Sequence, residues 1–319
     1  MSASVLVAIL LAQTCGGLTP ILTKLALAGF GPWSMVAVRQ LLGVCVLFAM
    51  SRWLRGAVPV TRAPQPFSRR DWALLLTVSW AGFALPQVLL AHGIARSSGT
   101  NGALLSPLEP IGILLGGALF FGERLTSWRL LAVGLGTLGA LLIVLQGGVR
   151  PELGDPLGDG LIAAGHLAWA IYTLAAKPLL ERHDPGRVSL VAVLLSIPIL
   201  VALALGEPFQ LERALPALGW MVLLAVLASA LGPLAWNYAL QQISAGTMAA
   251  FIFVQPLIGL VAGRALLSEP VGALALLGAL LILVGVTLEG LRTEPRTLAL
   301  APLDPSAESP SSTPESQPK

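Results

Sequence analysis

Charge is what this sequence lacks. Asp, Glu, Lys and Arg make up 11% of its 319 residues, where a water-soluble domain carries about 25%. So few charges cannot cover a soluble protein of this length. With 55% hydrophobic residues and a mean hydropathy of +0.83, the natural solvent for the rest of the surface is a bilayer. Other scarcities exclude further classes. The two cysteines, Cys15 and Cys45, sit inside apolar runs, so neither a disulfide framework nor a cysteine metal cluster is implied. The three histidines, His92, His166 and His183, fall on separate segments, and neither metal nor cofactor is expected. A phosphate-binding Gly-Lys loop is missing, which removes ATP as a direct source of energy. The net charge of +3 comes from basic residues lying between apolar runs rather than on one soluble face. They read as topology signals, and no nucleic-acid partner is expected.

What is present is apolar length. Requiring about 20 mainly apolar residues per span gives ten candidates: Ser2 to Leu22, Pro32 to Met50, Trp72 to Ala91, Gly99 to Phe121, Trp128 to Leu145, Leu157 to Ala176, Val188 to Leu205, Ala217 to Leu240, Gly246 to Leu267 and Val271 to Leu288. The first run has no basic residue ahead of it and continues past Cys15, so it reads as a membrane helix and not a signal peptide. Residues 292–319, rich in Pro, Ser, Thr and Glu, lack an apolar period and are expected to be a disordered tail.

Two of these spans are copies. Pro110 to Glu123 and Pro256 to Glu269 each run from a proline to a glutamate, 146 positions apart, and each carries a small-xxx-small pair, Gly112 with Gly116 and Gly259 with Gly263. The same shift sets Ser98 on Ser244, Gly117 on Gly263 and Gly139 on Gly285, and a shift of 153 further upstream sets Lys24 on Lys177 and Pro32 on Pro185. Each half is therefore five helices. Five is odd, so the halves cross the membrane in opposite senses, and the expected fold is an all-α polytopic membrane protein of ten transmembrane helices in two inverted five-helix repeats. The division is residues 1–146, a linker at 147–156, a second repeat at 157–291 and the tail. Thirteen loop lysines and arginines fall on one side and five on the other, which places both termini in the cytoplasm.

The duplicated proline-to-glutamate helices, the Trp169-Ala-Ile-Tyr172 to Lys177 stretch and Trp236-Asn-Tyr-Ala-Leu240, in this order over residues 5 to 290, resemble the drug/metabolite transporter superfamily, of the type with two EamA domains. That resemblance implies a multi-pass carrier in the bacterial inner membrane, moving amino acids or related metabolites, often outward. Its cavity would be lined by helices 1, 3, 4, 6, 8 and 9. The expected partners are a small-molecule substrate and the lipid bilayer, with a homodimer left open.

Polar residues inside the spans are the candidates for a site. Glu109 comes first, because a carboxylate in mid-bilayer costs about 2.5 kcal/mol or more, and its counterpart in the second copy is the neutral Gln255. It is the candidate for proton coupling, against a purely structural glutamate that bridges helices. Gln13, Gln87, His166, Trp169, Tyr172, Trp236, Asn237, Tyr238 and Gln255 are the other candidate substrate contacts, against mutual hydrogen bonding between helices. Pro110 and Pro256 are candidate hinges. Arg39 either takes part in a site or snorkels to the outer interface. Glu123 is read as a structural group for nearby backbone amides or for Arg124 and Arg129. No catalytic set is visible. A membrane-embedded enzyme would need a nucleophile with its base, and a scaffold or receptor would leave the inverted repeat unexplained.

Overall fold

Helix ends fall where the sequence supplies caps. Ser68 and Asp71 form a capping box, the Asp71 carboxylate accepting from the Ser68 N–H at 2.9 Å and the Ser68 hydroxyl from the Asp71 N–H at 3.2 Å. Asp155 and Asp184 each cap a helix whose first residue is proline, and Ser244 accepts from the Thr247 N–H at 3.1 Å. Gly122 closes its helix in the left-handed region, at φ 63°.

The structure, a computed structural model, describes residues 1–53, 65–96, 105–146, 155–208, 211–267 and 271–292. Nearly all of the expected tail and most of the expected linker lie outside them. The described elements are helical and form ten spans: α1 (Ala3–Ala26), α2 (Pro32–Trp53), α3 (Arg69–Ser79, Trp80–Ala84 and Leu85–Arg96), α4 (Leu108–Phe121), α5 (Ser127–Gln146), α6 (Pro156–Leu180), α7 (Pro185–Ala204), α8 (Leu211–Leu224, Ala225–Leu231 and Gly232–Gln242), α9 (Ala245–Ile252 and Val254–Leu267) and α10 (Ala273–Arg292). Eight of them are long and apolar enough to cross a membrane, and α4 is a shorter apolar helix. The tenth, α6, has 25 residues. It runs four residues past the expected end at Ala176, which puts Lys177 inside a helix rather than in a loop.

Proline accounts for the irregular turns, since its ring removes one N–H and clashes with the carbonyl four residues back. Four residues before Pro256 and Pro110 are Ile252 and Ser106. The first segment of α9 ends at Ile252, and α4 starts directly after a turn at Ser106 and Pro107. Pro86 and Pro233 each follow a π-helical turn, Trp80–Ala84 in α3 and Ala225–Leu231 in α8. A shift of 146 superposes these two turns, so the distortion belongs to the repeat.

The repeat also shows in the packing. Helices α5 and α10 lie backbone to backbone: a Cβ added at Gly139 would sit 2.5 Å from the Gly278 carbonyl oxygen, and one at Gly278 equally 2.5 Å from that of Gly139. The equivalent contact, Gly285 on the Ala132 carbonyl, recurs along the seam at 2.8 Å. Elsewhere the halves interlock, α1 packing on α8 and α9 of the second half and α6 on α3 and α4 of the first. The middle of the bundle is therefore an interface between repeats.

Candidate functional site

Two polar bridges cross that interface. Gln255 Nε2 of α9 donates to Gln13 Oε1 of α1 at 2.9 Å. On the other side Glu109 Oε2 of α4 lies 4.0 Å from His166 Nδ1 of α6. These are equivalent positions, since the shift of 153 carries residue 13 to 166 and the shift of 146 carries residue 109 to 255. Gln13, Gln255 and His166 are each ten residues from one end of their helix, Ala3, Ala245 or Pro156. At 1.5 Å per residue that is about 15 Å, the middle of a core about 30 Å thick. One pair is neutral; the other joins two ionisable side chains.

What surrounds the bridges differs as well. A Cβ at Gly16 would lie 2.7 Å from Gln255 Cδ, so glycine makes room for that amide. Its equivalent in α6 is Trp169, half-buried, whose ring meets Tyr172 edge-on at 5.8 Å between centroids. Tyr172 and Asn237 are closed to solvent, at 3% and 0% exposure. The Tyr172 hydroxyl donates to Asn237 Oδ1 at 3.0 Å, and Asn237 Nδ2 donates to Ser189 Oγ at 2.9 Å, tying α6, α8 and α7 together. Gln13 Nε2 and Trp236 Nε1 are buried donors without a protein partner among the described residues. Gln87 and Tyr238 are half-buried, on α3 and α8. Pro110 and Pro256 each stand at the third position of a helical segment, just beyond its break.

At the end of the bundle where α1 begins and α10 ends, buried polar networks join the halves. Glu123 accepts from the N–H groups of Ala245 and Gly246, both at 2.9 Å, and so caps α9 across the interface. Arg129 lies 3.7 Å from Glu123 and donates to Glu289 Oε1 at 3.2 Å, while Ser244 and Thr247 accept from its other nitrogen at 3.2 Å. The positions equivalent to Arg129 and Glu289 at the opposite end are Ala275 and Ile143, so this network is one-sided. A second junction joins Asp71 of α3 to Arg182 at 2.9 Å and to His183 at 3.2 Å. Lys177, read from sequence as a loop charge, is 4% exposed, and its Nζ donates to the Ile243 carbonyl at 2.6 Å. Sequence reasoning reached Glu123 and its neighbour Arg129 but expected nearby amides, whereas the two that Glu123 meets stand on α9 at Ala245 and Gly246. It did not reach Glu289, because 160 residues separate it from Arg129.

An inverted repeat of membrane helices with polar bridges at mid-depth is the frame of a polytopic transporter. The chain belongs to the EamA-like transporter family, which matches residues 3–145 and 156–289, within the drug/metabolite transporter superfamily. An uncharacterized transporter of Archaeoglobus fulgidus is 30% identical over 68% of this chain and 77% of its own length. A protein of Streptantibioticus cattleyicolor, described as a probable terminal-alkyne amino-acid exporter, is 28% identical over 70% of this chain and 75% of itself. An Escherichia coli protein described as a probable amino-acid metabolite efflux pump is 28% identical over 66% and 73%. One solved structure superposes with a TM-score of 0.75 at 17% identity, covering 91% of this chain and 98% of its own, and shares the fold.

Proposed function

We propose that the protein is a secondary transporter that exports small organic metabolites, amino acids or related compounds, across the bacterial inner membrane by alternating access, with both termini cytoplasmic. Glu109 takes up and releases a proton during the cycle. The observation that carries the reading is the unequal pair of equivalent bridges, neutral at Gln13 and Gln255 and ionisable at Glu109 and His166. An ionisable pair at mid-depth where the two halves meet is placed to respond when they move. The two exporter relatives support an amino-acid-like cargo. Substrate would lie among Gln13, Gln87, Glu109, His166, Trp169 and Gln255, with Trp236 and Tyr238 from α8, and Tyr172 and Asn237 bracing this wall. Pro110 and Pro256 serve as hinges, and the one-sided network of Arg129 holds the cytoplasmic end shut.

The test begins with a metabolite comparison of cells overexpressing and lacking the protein. The compound most depleted by overexpression is then assayed in proteoliposomes. Transport should depend on an imposed pH gradient, and Glu109→Gln should abolish that dependence. Unchanged gradient dependence in the variant removes Glu109 from the mechanism, and no depleted compound in any strain removes export.

A further inference from the structure

Arg39 is a charge that this transport scheme leaves unused. It lies in α2, seven residues beyond Pro32, about 10 Å along the axis. Snorkelling would leave its head group exposed at the membrane surface, yet the residue is 3% exposed. Its Nε is buried without a hydrogen-bond partner, and among the described residues no carboxylate oxygen comes within 4.0 Å of the guanidinium. Glu109 and Glu207 are committed elsewhere. Glu109 faces His166, and Glu207, which does reach α2, accepts from the Ser34 N–H at 2.7 Å.

Helices α2 and α8 meet at Gly43 and Ser229, where a Cβ on Gly43 would lie 2.5 Å from Ser229 Cβ. Arg39 is one turn earlier on that same face of α2, and its side chain leans further back toward Pro32. The fold itself does not require the charge, because the equivalent position in α7 is Ala192, fully buried. A cation enclosed by protein with no counter-charge is costly unless something negative joins it. The guanidinium fork suits a small anion that can take two N–H donors at once.

We propose that the Arg39 guanidinium is an anion-binding site beside the seam between α2 and α8. Its occupant is a small monovalent anion, either a halide ion or the carboxylate of an organic molecule.

The test is thermal unfolding of the purified full-length protein in detergent, titrated with sodium chloride or sodium acetate, with Arg39→Met protein titrated in parallel to subtract the general effect of ionic strength. At least one salt should raise the unfolding temperature and saturate. Saturation with chloride alone identifies a halide, saturation with acetate alone a carboxylate, and saturation with both the shared chemistry. Arg39→Met should lose the response. No saturable rise with either salt, or an unaltered response in Arg39→Met, overturns the site. Should Arg39→Met fail to fold, Arg39→Lys replaces it, and an unchanged midpoint concentration there overturns the site equally. Glu109→Gln protein should keep the anion response, so this result and the transport test stand or fall separately.

Discussion

Gln255 and Gln13 touch at 2.9 Å, and the inverted repeat sets Glu109 and His166, 4.0 Å apart, in the same two places. A transporter with one ionisable and one neutral bridge can be converted into a symmetric one. The double variant Glu109→Gln with His166→Gln should keep exchange of labelled for unlabelled substrate while losing accumulation driven by a pH gradient. Proteoliposome counterflow beside gradient-driven uptake separates the two, and retained accumulation counts against the pair.

Gly16 holds space for the Gln255 amide. Gly16→Ala places a methyl 2.7 Å from Gln255 Cδ, and the flexible amide moves away at the expense of its bond to Gln13. The expected loss is about 1 kcal/mol, the net worth of one hydrogen bond, seen as a lower unfolding temperature. Gly134→Ala is the control, because nothing lies within 4 Å of its added Cβ.

Gly139 and Gly278 face each other's backbone carbonyls, and a backbone cannot swing aside. Gly139→Ala should cost about 1–3 kcal/mol by overpacking. Because the two sites share one seam, the double variant with Gly278→Ala should cost less than the sum. Additive losses in detergent unfolding would separate the two contacts.

Arg129 bridges three helix ends. Arg129→Ala takes from Glu289, 5% exposed, a cation 3.2 Å away. The cost should be on the order of 2 kcal/mol, below that of a fully buried pair. Adding Glu289→Gln should recover part of it. If the network holds the terminal end closed, a cysteine placed at Thr247 becomes more reactive to a thiol reagent in the Arg129→Ala background, and equal labelling rates would contradict that.

Tyr172→Phe removes the donor to Asn237 Oδ1 and leaves a buried acceptor unsatisfied, at about 1–3 kcal/mol. Stability should fall while substrate affinity stays unchanged. A shifted KM with stability intact would return Tyr172 to the substrate wall.

Some of this was legible in the residues and some was not, and the division has a physical basis. The ten spans and the inverted repeat follow from apolar length and from the repeated proline and glycine positions, because a bilayer requires each span to satisfy its own backbone. The depth of Glu109 is legible too, since Glu123 at the helix end is 14 positions on, about 20 Å at 1.5 Å per residue. Its partner is not. His166 lies 57 positions away on a helix of the other half, and only the interlocking of α6 with α4 brings the two together. The same holds for Lys177, which reads as a loop charge until α6 continues to Leu180 and its amine meets the carbonyl end of α8. Arg39 shows the limit most plainly: its charge and depth are written in the chain, while its isolation is decided by where Glu109 and Glu207 turned instead. Local sequence determines which segments cross the membrane and how they bend. Which polar groups meet within it depends on pairings between distant helices, and those exist only once the two repeats have closed on each other.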